Sequence, residues 1–246
     1  MIKAIIFLTK IVIAAAIGLL FVSCRYNVNF GDGIDGSGNV IRQNRSISGN
    51  FTGVSADGGI EVIVEQGAGT EVTVEADDNI MSLIKTEVIN GILTVRTDGS
   101  YSTANGPVVT VRLPEIKELQ ADGGATLRGN GKLICERLEL HSSGGAQLDV
   151  HVEADTMSMD ASGGAGIDVS GKALDVEISA SGGSPVDAEQ LQANNIKADA
   201  SGGASISVYP ILKLDAEASG GGSVGYHKIP KTLSKSESGG GSVSEE

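Results

Sequence analysis

Three aspartates, Asp149, Asp168 and Asp187, stand 19 residues apart. A carboxylate that recurs at a fixed interval is the first pattern in this chain able to do chemistry. If the interval is one turn of a stacked structure, the three side chains share a column with neighbours about 4.8 Å apart. Each adjacent pair then repels by roughly 0.9 kcal/mol in water before salt screening. A divalent cation would relieve that repulsion, and Ca2+ is the ion that takes several carboxylate oxygens. A solvated acidic face also tolerates so small a cost. The column therefore reads as bare acidic surface or as a Ca2+ site, and no other cofactor is expected.

Other candidate motifs carry less. Gly221-Gly-Ser-Val-Gly225 spells the G-x-S-x-G nucleophile pattern. That pattern needs a strand-to-helix elbow with an acid and a His downstream; no helical pattern follows it, and His227 is the one later His. Gly163-Gly-Ala-Gly-Ile-Asp168 matches one unit of a calcium-binding roll, which needs consecutive copies every nine residues. His141 and His151 are ten apart without an evident third ligand, so zinc is not expected. Asp155-Thr156-Met157 fits a short O-glycosylation acceptor used by some bacteria, which makes Thr156 a candidate modification site. Catalysis is not expected anywhere.

The front of the chain has its own logic. Lys3 and Lys10 precede the 12-residue apolar run Ile11 to Val22, which is short for a membrane span and normal for a secretory signal. The run ends at Val22-Ser23-Cys24, which resembles a bacterial lipobox. Residues 1–23 are thus expected to be a lipoprotein signal peptide and Cys24 the lipidated residue, attaching the protein to the bacterial cell envelope, with the outer membrane the expected address. Cys135 is then left without a disulfide partner. Residues 24–45, rich in Gly, Asn and Asp, read as a flexible tether. The chain is acidic, with 18 Lys and Arg against 31 Asp and Glu and a net charge of −13. That balance excludes a phosphate-tracking surface, so nucleic acid is not a partner.

What must position all these residues is a repeat. Gly-Gly pairs fall at Gly144-Gly145, Gly163-Gly164, Gly182-Gly183, Gly202-Gly203 and Gly220-Gly221, in contexts such as SSGGA, ASGGA and ASGGS. Four residues after the first Gly come Leu148, Ile167, Val186, Ile206 and Val224; six before it come Leu138, Met157, Val176, Ile196 and Leu214. Alternation of apolar and polar residues on both sides of a fixed corner means strands that point one row inward. Helical periodicity is missing. The spacing predicts an all-β fold, a single-stranded β-helix (β-solenoid) with about 19 residues per coil over 121–246. The interval varies only opposite the Gly corner, so that segment is expected to be a tolerant outer turn.

Residues 46–120 are less regular. Ile60–Glu65 and Glu71–Glu75 alternate as strands, residues 77–84 suit one helical turn, and Asn90-Gly91 suits a type I′ hairpin within 87–96. Pro107 to Pro114 brackets another strand. This half is expected to form wider, decorated coils that cap the first edge of the solenoid, giving one domain over 46–246.

The runs Phe51-Thr-Gly-Val-Ser55, Ile60-Glu-Val-Ile-Val-Glu-Gln-Gly67, Glu87-Val-Ile-Asn-Gly-Ile-Leu-Thr-Val95 and Val109-Thr-Val-Arg-Leu-Pro114, followed by the SGGA corners, resemble the auto-transporter adhesin head GIN domain family. The resemblance covers roughly residues 46–240. It implies a β-helical exported bacterial domain, commonly a lipoprotein, with a proposed adhesive role, and it brings no catalytic or ligand residues. The expected function is a lipid-anchored display module or adhesin that meets a glycan or protein surface. A polysaccharide-acting β-helical enzyme and a periplasmic envelope or signalling component that needs a partner chain are the rival readings.

Overall fold

The computed structural model describes residues 33–246. The expected signal peptide and Cys24 lie outside the described residues. The elements are β1 (Ile34–Asp35), β2 (Val40–Arg45), β3 (Gly53–Asp57), β4 (Glu61–Gln66), β5 (Glu71–Asp77), a 3-10 turn (Met81–Leu83), β6 (Ile84–Ile89), β7 (Ile92–Thr97), β8 (Tyr101–Ser102), β9 (Val108–Leu113) and β10 (Glu118–Asp122). Then come the long strands β11 (Thr126–Ser142), β12 (Gln147–Ala161), β13 (Gly166–Ala180), β14 (Pro185–Ala200) and β15 (Ser205–Ser219), and finally β16 (Ser223–Tyr226), β17 (Thr232–Ser238) and β18 (Ser242–Glu245).

The long strands are the coils of a β-solenoid with about 19 residues per turn. Successive coils pair in parallel, residue on equivalent residue: Leu148 on Ile167, Met157 on Val176, Ala161 on Ala180. Within β12 the inward residues alternate from Leu148 to Ala154, change phase at Asp155-Thr156, and alternate again from Met157 to Ala161. The phase change is where the ribbon bends away from the Gly corner. Stacking then builds continuous apolar columns. Leu127, Leu148, Ile167, Val186, Ile206, Val224 and Val243 form one of them, each paired with the next. All are buried in one hydrophobic cluster that runs through the stack. A fully buried aliphatic side chain contributes roughly 1.5–3 kcal/mol, so the columns carry the stability. The single thiol among the described residues, Cys135, is free.

The corners follow from backbone geometry. At four of these five corners the backbone N–H of the Ala or Gly after the pair donates back to the corner Ser carbonyl, as Ala165 does to Ser162 and Ala204 to Ser201, and at the Gly182-Gly183 corner the Ser184 hydroxyl donates to the Ser181 carbonyl instead. Ladder bonds continue through the corner, from Ser181 N–H to Ala161 O and from Ser201 N–H to Ala180 O. The first Gly of every pair has positive φ, for example Gly163 at 80°. The second does so in Gly145 and Gly221 but not in Gly164, Gly183 or Gly203. Only half of each pair is therefore a uniform requirement of the turn. The register slips lie away from the corner, between Asp168 and Gly171, Ala188 and Gln192, and Ala193 and Asn195. This is the tolerant segment that the varying interval marks.

The N-terminal half extends the stack out of chain order. The 58–59 corner between β3 and β4 lies under the Gly123 corner, since β3 pairs with β10 and β4 with β11. Below them lie β7 and β9, still parallel. The edge is then closed by antiparallel strands: β6 on β7, through the Asn90-Gly91 turn with both φ positive, and β5 on β9. The 3-10 turn falls within 77–84 as the sequence suggests.

The expected tether over 24–45 requires correction for its described part. Val40–Arg45 is a strand antiparallel to β5, and Ile34–Asp35 pairs with β8. The edge of β5 offers free backbone groups, and Arg45 ties the new strand down by donating to the carbonyls of Met81 and Ile84.

Candidate functional site

Because every coil repeats the last, each outward position becomes a column and each face a grid. Asp149, Asp168 and Asp187 do stack on three successive coils, with Arg128 below and Ser207 above. Asp168, in the middle, has its carboxyl raised above the usual aspartate value, first by burial and then by the charges of Asp187, Asp149 and Glu189. Glu189 follows Asp187 closely, its N–H donating to the Asp187 carboxylate at 3.1 Å. The column is thus a line of mutually repelling acids.

A second grid lies on the face formed by the C-terminal halves of the coils. One column reads Glu118, Glu139, Ser158, Glu177, Lys197, Asp215. The adjacent outward column reads Gln120, His141, Asp160, Ser179, Asp199, Glu217. An open groove runs beside it, lined by Asp160, Asp199 and Glu217 and by the corner serines Ser162, Ser181 and Ser201. Further along the same face Thr156, Asp175, Asn195 and Lys213 edge another open groove. Lys197 pairs with Glu177 at 2.8 Å and with Asp199 at 3.3 Å. These hollows follow the stack and do not close over anything.

The other sequence candidates separate. His151 lies on the Asp-column side, with Nδ1 3.0 Å from the Ser170 hydroxyl. His141 sits on the opposite grid between Glu118 and Asp160, so the two histidines share no site. Thr156 lies within β12 and its hydroxyl donates to the Glu136 carbonyl at 3.3 Å. Ser223 begins β16, a repeat strand and not an elbow, and its hydroxyl meets that of Ser205. Gly166, in the single roll-like motif, is an ordinary strand residue of β13. Cys135 is half-buried, and burial together with Glu115 pushes its thiol up to about 11, so it is almost wholly unreactive thiol at neutral pH.

The sequence reading missed the neighbourhood of His141. Glu118-Leu-Gln120 and Glu139-Leu-His141 are 21 apart, two more than the regular interval, and they pair residue for residue. Aligning those two tripeptides in the sequence would have found it. Among the described residues no helix is long and apolar enough to cross a membrane.

Parallel stacking, shallow faces and outward polar grids define the class: a β-solenoid with extended surfaces and no deep cleft in the grids described. The chain belongs to the family described as "Putative auto-transporter adhesin, head GIN domain", which it matches over residues 50–230. Its fold is shared by solved structures of about one-fifth identity. A "putative adhesin" from Bacteroides fragilis NCTC 9343 has a TM-score of 0.79 at 21% identity, covering 87% of this chain and 100% of that one. A "putative adhesin" from Parabacteroides distasonis ATCC 8503 has 0.71 at 21% identity, with 87% and 100% covered. A "putative lipid binding protein" from the same organism has 0.68 at 22% identity, with 87% and 99% covered. No curated protein matches the chain.

Proposed function

We propose that this protein is an exported, lipid-anchored display module whose acidic grid adheres to a basic protein surface, without catalysis. The observation that carries the reading is the grid itself: Asp160, Asp199 and Glu217 repeat along one open groove, flanked by corner serines. An array of this kind offers many weak contacts over a long strip and no single pocket. A protein partner is favoured over a glycan by the state of the late tyrosines. Tyr226 is buried and Lys235 lies over its ring at 4.7 Å; Lys228 lies over the Tyr209 ring at 5.5 Å. Sugar recognition ordinarily uses free aromatic faces, and these two are engaged. The net charge of −13 steers basic partners toward the molecule. Family membership supports adhesion and export to the cell surface, and the Val22-Ser23-Cys24 sequence supports an acyl anchor in the outer membrane.

The test is binding of the detergent-solubilised full chain to immobilised basic proteins and to a glycan array, across salt. The expected result is binding to basic proteins that weakens steeply with salt, and a loss of about tenfold or more when Asp160, Asp199 and Glu217 are all changed to Lys. Salt-independent binding, or full binding by that triple variant, would refute the acidic-grid reading. Glycan turnover abolished by Asp149→Asn, Asp168→Asn and Asp187→Asn would replace it with the polysaccharide-acting enzyme. The anchor is tested separately, by incorporation of a labelled fatty acid that Cys24→Ser abolishes.

A further inference from the structure

The two columns of the second grid balance their charge in different ways along the stack. High on it, Lys197 neutralises Glu177 and Asp199. Lower down, the same two columns bring together Glu118, Glu139, His141 and Asp160. Among the described residues, Glu118 and Asp160 make their close contacts with a basic group only to the His141 ring, and no Lys or Arg pairs with any of the four. One oxygen from each glutamate and one ring nitrogen of His141 all lie within 4.8 Å of one another. We propose that Glu118, Glu139 and His141 form a binding site for a divalent first-row transition ion, with Zn2+ as the best fit.

The geometry has the parts such a site needs. His141 Nε2 faces Glu118 Oε1 at 3.9 Å, and Nδ1 faces Asp160 Oδ2 at 3.4 Å. With a metal on Nε2, the Nδ1 proton would point toward Asp160. A carboxylate behind the imidazole is the usual way to fix the tautomer of a metal-ligating histidine. Gln120 donates to Glu118 Oε1 and steadies that carboxylate. Ligands about 2.1 Å from a tetrahedral ion are about 3.4 Å apart, so the His141–Glu118 pair must close by roughly half an ångström. Side-chain rotation supplies that without moving the ladder. Three protein ligands leave a fourth position facing solvent. One imidazole with two carboxylates suits Zn2+ and its first-row neighbours better than Ca2+, which prefers oxygen alone. The Asp149, Asp168 and Asp187 column is all oxygen and lacks such a nitrogen.

The test is isothermal titration of the chelator-stripped full chain with ZnCl2, paired with thermal melting. The expected result is one equivalent bound at micromolar affinity or tighter, with a rise in melting temperature, because the ion joins β10 to β11. His141→Ala and Glu139→Gln should each weaken binding by at least tenfold, and Asp160→Asn by about tenfold through loss of orientation. All three substitutions are at exposed or half-exposed grid positions, and circular dichroism reports whether the fold is kept. Asp149→Asn with Asp168→Asn, on the other face, should leave Zn2+ affinity unchanged, and Cys135→Ser excludes the thiol as a ligand. Binding no tighter than millimolar, several equivalents bound diffusely, or full affinity in folded His141→Ala would overturn the proposal.

Discussion

At the scale of single residues, the fold depends on a few positions where the backbone does what only glycine allows. Gly171 is the sharpest case. Its φ is +119°, and a Cβ there would overlap the Val152 carbonyl oxygen on the coil below. Gly164 is different: φ is not in the left-handed region, and nothing lies within 4 Å of where its Cβ would be. Gly171→Ala is expected to destabilise the protein by about 2–4 kcal/mol, as strain and backbone overlap do. Gly164→Ala should change stability by less than about 1 kcal/mol. Denaturant melts of both variants check the contrast. The sequence marked the corner pairs but gave Gly171 no prominence, because it sits in the segment where the repeat varies and so lacks a periodic context. It likewise ranked Gly164 with Gly163, since identity in a motif does not reveal which φ each residue takes.

At the scale of the element, a column behaves as one electrostatic unit. Asp168 holds its proton to higher pH than an unfolded aspartate does, through burial and through Asp187, Asp149 and Glu189. The folded state therefore binds more protons than the unfolded state between the usual aspartate value and this raised one. Stability contributed by this group rises as pH falls through that window. Glu65, whose carboxyl is lowered by Asn130 and Arg112, works in the opposite direction, and its contribution is lost as pH falls through its lowered value. Asp168→Asn is expected to stabilise the protein by about 0.5–1 kcal/mol at pH 7 in low salt, after allowance for solvent screening. That gain should shrink toward zero below the ordinary aspartate value, and also in high salt. Melts across pH and salt read it directly. The column was legible because 19 is an exact coil period there. The His141 group was not, because the interval below it is 21 and its partners come from the first coils, where the repeat had not yet settled.

At the scale of the whole molecule, parallel stacking leaves little room for a buried centre and makes extended faces instead. The sequence carried this far where the period held: the inward columns from Leu148 through Val224 and the tolerant turn opposite the corners are where the spacing puts them. It carried less in the first half, where Gly58 lies 65 residues before Gly123 in the chain yet directly beneath it in the stack. The chain between them runs through β4 to β10, and although Asn90-Gly91 marks the β6–β7 turn, no local pattern places β7 beside β3 or β9 beside β4. The C-terminal end is finished by thin strands, with Glu237 accepting from Val243 N–H and Lys235 donating to its carbonyl.

The most direct check of the display role is lysine labelling of intact cells with a membrane-impermeant amine reagent, read residue by residue against lysed cells. Lys172 and Lys197 are exposed on the coils. Labelling of both to the same extent before and after lysis is expected; labelling that appears only after lysis would put the faces inside the envelope and contradict adhesion.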